Sequence, residues 1–285
     1  MRRLLAALVA AIACSAHAEI RLVDDAGRTV TLAAPAARIV TLAPFLTELA
    51  FSAGLGEAIV AVSEHSDFPP AARNRPAVSS AMGVSIEAVA ALKPDLVFAW
   101  QDAIRPADVE RFAALGIPVF VTQARRLDDV PRLLEIIGRL GGRTTAHLAD
   151  DYRTRLGQLR QSHAALPRIP VLVEIWHQPL TTLAGPHWIN EAITLCGASN
   201  AFSDLPGIAP TISWELVLAR QPRAIVGAGS APREADFRAA WSDRTALEAV
   251  RAGRLVFIDG DLIQRPTLRL ADGVERLCAG IDRVR

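Results

Sequence analysis

The chain carries no set of residues spaced for covalent or acid–base catalysis. It has no G-x-S-x-G nucleophile elbow, no phosphate-cradling G-x-x-x-x-G-K and no G-x-G-x-x-G. The metal-site spacings C-x-x-C and H-E-x-x-H are missing too. Gly227-Ala228-Gly229-Ser230 reads as a loop. What the sequence offers instead is a series of aromatic and polar side chains placed directly after short apolar runs. Glu64, His65 and Phe68 follow the run 59–62, and Trp100 follows 96–99. Trp176 and His177 follow 171–175, and Asp259 and Asp261 follow 255–258. If the runs are parallel strands, a ligand sits beyond their carboxyl ends, where these side chains emerge. Aromatic faces with a few polar groups suit a large, flat, partly apolar ring bearing an amide rim. Trp100 and Trp176 lead this set, and Trp188, on the approach to a helix, is a weaker member. His65 could offer an imidazole nitrogen to a metal carried by such a ring, or hydrogen-bond its rim or Asp67. His177 is the second histidine of interest, whereas His147, His163 and His187 are expected on the surface. The chemistry is capture rather than turnover.

The elements that must position these groups alternate between strand and helix. Strands are predicted at 38–42, 59–62, 96–99 and 119–121, and again at 171–175, 224–227 and 255–258. Helices are predicted at 47–53, 108–115 and 128–140, then at 190–196, 214–220, 245–250 and 268–284. Gly54 and Gly116 close two of them. Continuous apolar strands separated by helices indicate α/β lobes with parallel sheets covered on both faces. Residues 20–23 and 29–32 flank Asp24-Asp25-Ala26-Gly27, the signature of a β-hairpin or of a loose surface arm.

An internal repeat makes the lobes two. Ser85, Glu87, Val89, Ala91 and Pro94 recur as Ser213, Glu215, Val217, Ala219 and Pro222, at a constant offset of 128 (85 to 213). In each copy Ser suits a helix N-cap, an early Glu suits the positive helix end, and Pro leads into an apolar strand. The stretch around Glu48 and Gly54 is echoed around Glu191 and Gly197. Between the copies, residues 144–166 hold Leu148, Tyr152, Leu156 and Leu159 at helical spacing. They predict one connector helix, about 30 Å long for 20 residues. Pro167 and Pro170 end it, and a helical connector predicts small motion between lobes. The expected organisation is an N-terminal lobe at 19–143, the connector at 144–166 and a C-terminal lobe at 167–285.

Residues 1–18 read as a cleaved secretory signal. Arg2 and Arg3 precede a short apolar run, and Ala16-His17-Ala18 is a small-x-small cleavage site. Ala11-Ile12-Ala13-Cys14 offers a rival reading as a lipoprotein box. Without the signal, Lys+Arg falls from 31 to 29 against 30 acidic residues, so the net charge is near −1 and gives no footprint for nucleic acid. Export places Cys196 and Cys278 in an oxidising compartment, where the pair suggests a disulfide; two buried free thiols are the other reading. Its long loop corresponds to roughly 4–5 kcal/mol of chain entropy.

Several motifs together resemble the helical-backbone metal-receptor family, the substrate-binding proteins of ABC importers for cobalamin, iron-siderophores and haem. They are Arg38-Ile39-Val40-Thr41-Leu42-Ala43-Pro44, Thr47-Glu48-Leu49-Ala50-Phe51, Ser63-Glu64-His65-Ser66-Asp67-Phe68-Pro69-Pro70, Ala91-Leu92-Lys93-Pro94-Asp95-Leu96-Val97 and Ser213-Trp214-Glu215. The resemblance covers nearly the whole chain after the signal. Ser66-Asp67-Phe68-Pro69-Pro70, Phe98-Ala99-Trp100, and Cys196-Gly197 with Cys278 are most similar to its cobalamin-binding branch. It implies two α/β lobes joined by one helix with the ligand between them, a periplasmic location, and no resident cofactor, since cobalt would travel with the ligand. It also implies that Glu87 and Glu215 dock arginines of an inner-membrane permease, and that the receptor works as a monomer. The alternative within the family is a haem or ferric-siderophore receptor. The single tyrosine, Tyr152, falls on the connector, so only a histidine would serve haem. Arg105 and Arg265 would serve an anionic siderophore. His65 and Ala81 stand where the branch can carry Tyr and Trp. A bare-metal receptor would draw on His65, His177, Asp259 and Asp261, leaving the tryptophans without a role.

Overall fold

The computed structural model describes residues 19–285. The signal sequence and Cys14 lie outside the described residues. β1 (Ile20–Val23) and β2 (Thr29–Leu32) form an antiparallel hairpin. It is tied down rather than loose: Asp25 N–H donates to Val121 O, and Asp24 accepts from Val121 N–H and pairs with Arg28.

The N-terminal sheet follows. β3 (Ile39–Thr41) leads to α1 (Pro44–Ser52), β4 (Ile59–Ser63), β5 (Ala77–Ser80) and β6 (Gly83–Val84). Next come α2 (Ile86–Ala91), β7 (Leu96–Trp100), α3 (Pro106–Ala114), β8 (Val119–Thr122) and α4 (Asp129–Leu140). The sheet order is β6-β5-β4-β3-β7-β8, parallel except for β6. The central strands are apolar on both faces because both are covered. Ile39, Leu96 and Phe98 face one core, while Val40, Val97 and Ala99 face the other.

α5 (Ala146–His163) is the connector. Ala149, Tyr152, Leu156 and His163 are its buried stripe. The C-terminal sheet has β9 (Ile169–Trp176), β10 (Thr181–Thr182), α6 (Trp188–Leu195) and β11 (Ala198–Asn200). These are followed by α7 (Trp214–Arg220), β12 (Ala224–Gly229), α8 (Pro232–Ser242) and α9 (Glu248–Arg251). β13 (Leu255–Asp259), α10 (Gly260–Ile263) and α11 (Leu270–Val284) complete the chain. Its order is β10-β9-β12-β13, with β11 also on β9. β10 runs antiparallel, so neither sheet is purely parallel as the strand–helix alternation predicts. The departure is confined to two-residue edge strands.

The repeat holds at the level of geometry. Ser85 and Ser213 each cap their helix through Oγ, accepting from the amide three residues on at 3.3 Å. Lys93 and Gln221, again 128 apart, both take the left-handed conformation, at φ 47° and 42°. Leu96 and Ala224, the next equivalent pair, open β7 and β12.

One hydrophobic core runs through both lobes. Ile39, Leu46, Phe98 and Leu133 of the first share it with Tyr152 of α5 and Val171, Ile193 and Val274 of the second. The outer faces have separate cores under α2 and α3 and under α7 and α8. Cys196, at the end of α6, and Cys278 on α11 form a disulfide within this shared core, with Cα atoms 4.7 Å apart. A continuous apolar interior across the junction resists wide opening.

Candidate functional site

Trp100 is the last residue of β7. Its ring meets Phe45 edge-on, with centroids 5.8 Å apart. Its Nε1 donates to Gln123 Oε1 at 3.0 Å, and Gln123 Nε2 donates to Asp102 at 3.0 Å. Asp102 also pairs with Arg125 at 3.0 Å. The charges at the end of this polar chain are felt by His187 of the other lobe. Burial, and then the nearby charge of Arg125, hold that imidazole well below its usual range, at about 4. Trp100 also packs against the hydrophobic core that the two lobes share.

Trp176 is the last residue of β9 and remains 54% exposed. Its Nε1 is fixed on Gln178 O at 2.8 Å, and the Arg233 guanidinium lies 5.5 Å from its ring. It edges a hollow of about 800 Å³ whose wall includes Glu174, His177, Gly229, Arg233 and Gln264. That volume is within the range of small-molecule sites, which runs to roughly 1,000 Å³. A smaller hollow in the N-terminal lobe is walled by Leu42, Ser79, Met82, Trp100 and Arg105. The two correspond through the repeat: Ala228, which lines the larger one, is the counterpart of Trp100.

His65 and Phe68 lie on the segment after β4. His65 is exposed and has φ 61°, a left-handed backbone that is costly for a residue with a Cβ. Phe68 is 39% exposed and lies under the Arg269 guanidinium, 3.7 Å from the ring centroid. His177 is half-buried, edge-on to Trp241, with its Nδ1 3.4 Å from Glu174 Oε2. Asp259 caps α10 by accepting from the Asp261 amide at 3.0 Å. The Asp261 carboxylate is exposed, 3.6 Å from Arg265. Among the described residues no three His, Cys, Asp or Glu side chains converge as a metal cage, so His65, His177, Asp259 and Asp261 supply no ligand set for a bare cation.

Other expectations need correction. Trp188 is buried at 5%, and its Nε1 donates to Ile263 O at 3.0 Å; it is core, not cleft. His187 is not a surface residue: its Nδ1 caps α6 by accepting from Ile189 N–H. Nor is His163, which is buried between Leu159 O and Asp282. Arg105 and Arg265 are not free cationic walls, because Asp108 and Asp67 pair with them at 2.7 and 2.6 Å. Trp241 is buried with its Nε1 on Glu174. Trp214 is half-buried, with Arg244 4.8 Å over its ring. Sequence reasoning missed Gln123 and Arg233. Neither follows a strand as an aromatic or acidic residue, and only the packing of α8 places Arg233 beside Trp176.

Glu87 and Glu215 are both exposed, and each is the second residue of its helix. Backbone hydrogen bonding at the start of α7, with the Ser213 hydroxyl, lowers the Glu215 carboxyl below its ordinary range. The two acids are thus equivalent positions on two similar lobes.

Two α/β lobes on a helical connector, with hollows at the strand ends, define a ligand-capturing binding protein. The chain belongs to the periplasmic binding protein family, whose profile matches residues 39–262. It is 35% identical to a vitamin B12-binding protein of Vibrio cholerae serotype O1 over 249 residues, 86% of this chain and 88% of the relative. The crystal structure of the periplasmic vitamin B12 binding protein BtuF of Vibrio cholerae matches with a TM-score of 0.79 at 34% identity. That match covers 88% of this chain and 98% of BtuF. The periplasmic heme-binding protein RhuT from Roseiflexus sp. RS-1 matches with a TM-score of 0.72 at 20% identity, over 87% of this chain and 99% of RhuT, a likeness of fold alone. Among the described residues no helix is long and apolar enough to cross a membrane.

Proposed function

We propose that this protein captures a corrinoid, cobalamin, between its lobes in the periplasm and hands it to the permease of an inner-membrane ABC importer, without turning it over. The observation that carries this reading is Trp176, more than half exposed at the rim of a hollow of about 800 Å³ in the C-terminal lobe, with Trp100 lining the matching hollow of the N-terminal lobe. An indole at the rim of a hollow offers an aromatic face on which a flat, partly apolar ligand can stack. The kinship with vitamin B12-binding proteins supports the same ligand. His65, Phe68, His177 and Asp261 complete the contact set, His65 giving its imidazole to cobalt or to an amide of the rim. The lobes take residues 19–143 and 167–285, residues 1–18 direct export, and the chain works as a monomer. Glu87 and Glu215 form a matched acidic pair for a permease built of two like halves.

The haem or ferric-siderophore reading is less well served by this site. Tyr152 is 2% exposed and offers no phenolate, and Arg105 and Arg265 are already neutralised by carboxylates. The test is tryptophan fluorescence during titration with cyanocobalamin. Quenching is expected, and Trp176→Ala should weaken binding about tenfold, the order of one lost aromatic stack with its buried area. Haem saturating the protein while cyanocobalamin leaves the fluorescence unchanged would overturn the corrinoid reading. Glu87→Arg with Glu215→Arg should abolish permease-dependent uptake while leaving ligand affinity intact.

A further inference from the structure

The segment that carries His65 and Phe68 is gripped from two sides. From below, within its own lobe, a run of hydroxyl contacts holds Ser66. Thr41 Oγ1 lies 2.7 Å from Thr47 Oγ1, Thr47 Oγ1 lies 2.9 Å from Ser66 Oγ, and Ser66 Oγ lies 3.0 Å from Ser63 Oγ. All four side chains are buried, so Ser66 is fixed inward and its neighbours His65 and Asp67 turn outward. From above, the contacts come from the other lobe. Arg265 Nη1 donates to Asp67 Oδ1 at 2.6 Å, with Nη2 3.4 Å from His65 O. The Arg269 guanidinium carbon lies over the Phe68 ring, 3.7 Å from its centroid, while Nε and Nη2 donate to Glu48 at 2.7 and 2.6 Å. Glu48 is 2% exposed, so that anchor is rigid. Neither arginine lines the larger hollow, although Gln264, immediately before Arg265, does.

We infer that Arg265 and Arg269 are positioning residues, through which the C-terminal lobe holds the N-terminal lobe's binding segment in its presenting conformation. The left-handed backbone at His65 is what the second grip helps to hold. Its own lobe holds the costly turn through the hydroxyl run and the backbone bonds of Glu64, Ser66 and Asp67, and Arg265 adds contacts from the other lobe at the Asp67 carboxylate and His65 O. The segment that presents His65 and Phe68 in one lobe is therefore completed by two arginines of the other. The inference rests on the reading that His65 and Phe68 face the captured corrinoid.

The test is amide hydrogen exchange on the whole ligand-free protein, which does not depend on the identity of the ligand. The amides of Ser66 and Asp67, bonded to Ser63 O and His65 O, report the segment, and the Val62 amide reports the sheet beneath it. Arg265→Ala should speed exchange at Ser66 and Asp67 about fivefold or more, the scale of one charged contact on a half-exposed carboxylate, with Val62 unchanged. Arg265→Lys should restore part of the protection, since a lysine can reach Asp67 but cannot fork to His65 O. Arg269→Gln alone would strand a buried carboxylate, so Glu48→Gln with Arg269→Gln serves as the second variant, with the same local loosening expected. In parallel, Arg265→Ala should weaken cyanocobalamin binding about fivefold, and 1 M salt should shrink that difference. Unchanged exchange at Ser66 and Asp67 in both variants overturns the inference, as does faster exchange with unaltered cyanocobalamin affinity. If the wild-type protein takes up no cyanocobalamin, the corrinoid reading fails, and the exchange result still decides the grip.

Discussion

Replacing Arg269 with methionine removes both guanidinium donors that face Glu48 while keeping an unbranched apolar stem. Glu48 is 2% exposed, and among the described residues its carboxylate is bonded by Arg269 alone, at 2.7 and 2.6 Å. Removing one partner of such a pair costs about 3–5 kcal/mol, because the survivor stays buried and uncompensated. Arg269 keeps 21% of its side chain in solvent, which argues for the lower end, near 3 kcal/mol. The lost cation–π contact with Phe68 adds about 0.5–1 kcal/mol. In a chain of this size each kcal/mol moves the melting point by roughly 2–4 °C, so a drop of about 6–15 °C is expected. Urea unfolding followed by circular dichroism, alongside calorimetry, measures it. Glu48→Gln added to Arg269→Met removes the stranded charge and should recover stability to within about 1–2 kcal/mol of wild type. A single variant losing less than about 1 kcal/mol, or a double variant no better than the single, would refute the idea that this pair is desolvated and holds the lobes together.

His187 sets a pH dependence. Its folded pKa near 4, against an ordinary 6.5, means that the unfolded chain takes up a proton in that interval while the folded chain does not. Stability is thus full above about pH 6.5 and falls as the pH drops towards 4, by up to about 3 kcal/mol. His187→Asn, which keeps a capping acceptor, should flatten that part of the pH–stability curve; an unaltered slope would count against it. Tyr152 is 2% exposed, and its hydroxyl has no partner among the described residues. Tyr152→Phe should leave stability unchanged or raise it by about 1 kcal/mol in the same urea assay, and a clear loss would mean that the hydroxyl is satisfied.

Much of the architecture was legible because it is written in periodicity. The continuous apolar runs became the strands β4, β7, β9, β12 and β13, and the Ser-to-Pro repeat reappears down to the left-handed residues at 93 and 221. The small strands β5, β6, β10 and β11 escaped notice because they are two to four residues long and owe their pairing to neighbouring strands. α8 was missed for a related reason: only Phe237 and Trp241 of it are buried, too few to make a stripe among its charges. With α8 went Arg233, and with it one wall of the larger hollow. Within the candidate site, the strand-end rule placed Trp100 and Trp176 at concave surfaces, but it could not separate a cleft tryptophan from Trp188, whose indole is spent on Ile263 O. The arginine partners were illegible altogether. Arg265 and Asp67 are 198 positions apart, and no local pattern encodes a contact between lobes.

Parallel calorimetric titration of the purified protein with cyanocobalamin, haemin and a ferric hydroxamate asks most directly what fills the space between the lobes. The expected result is one cyanocobalamin bound per chain, with haemin and the hydroxamate far weaker and Trp176→Ala cutting the cyanocobalamin affinity about tenfold. Saturation by haemin or the hydroxamate, with no heat from cyanocobalamin, would contradict it.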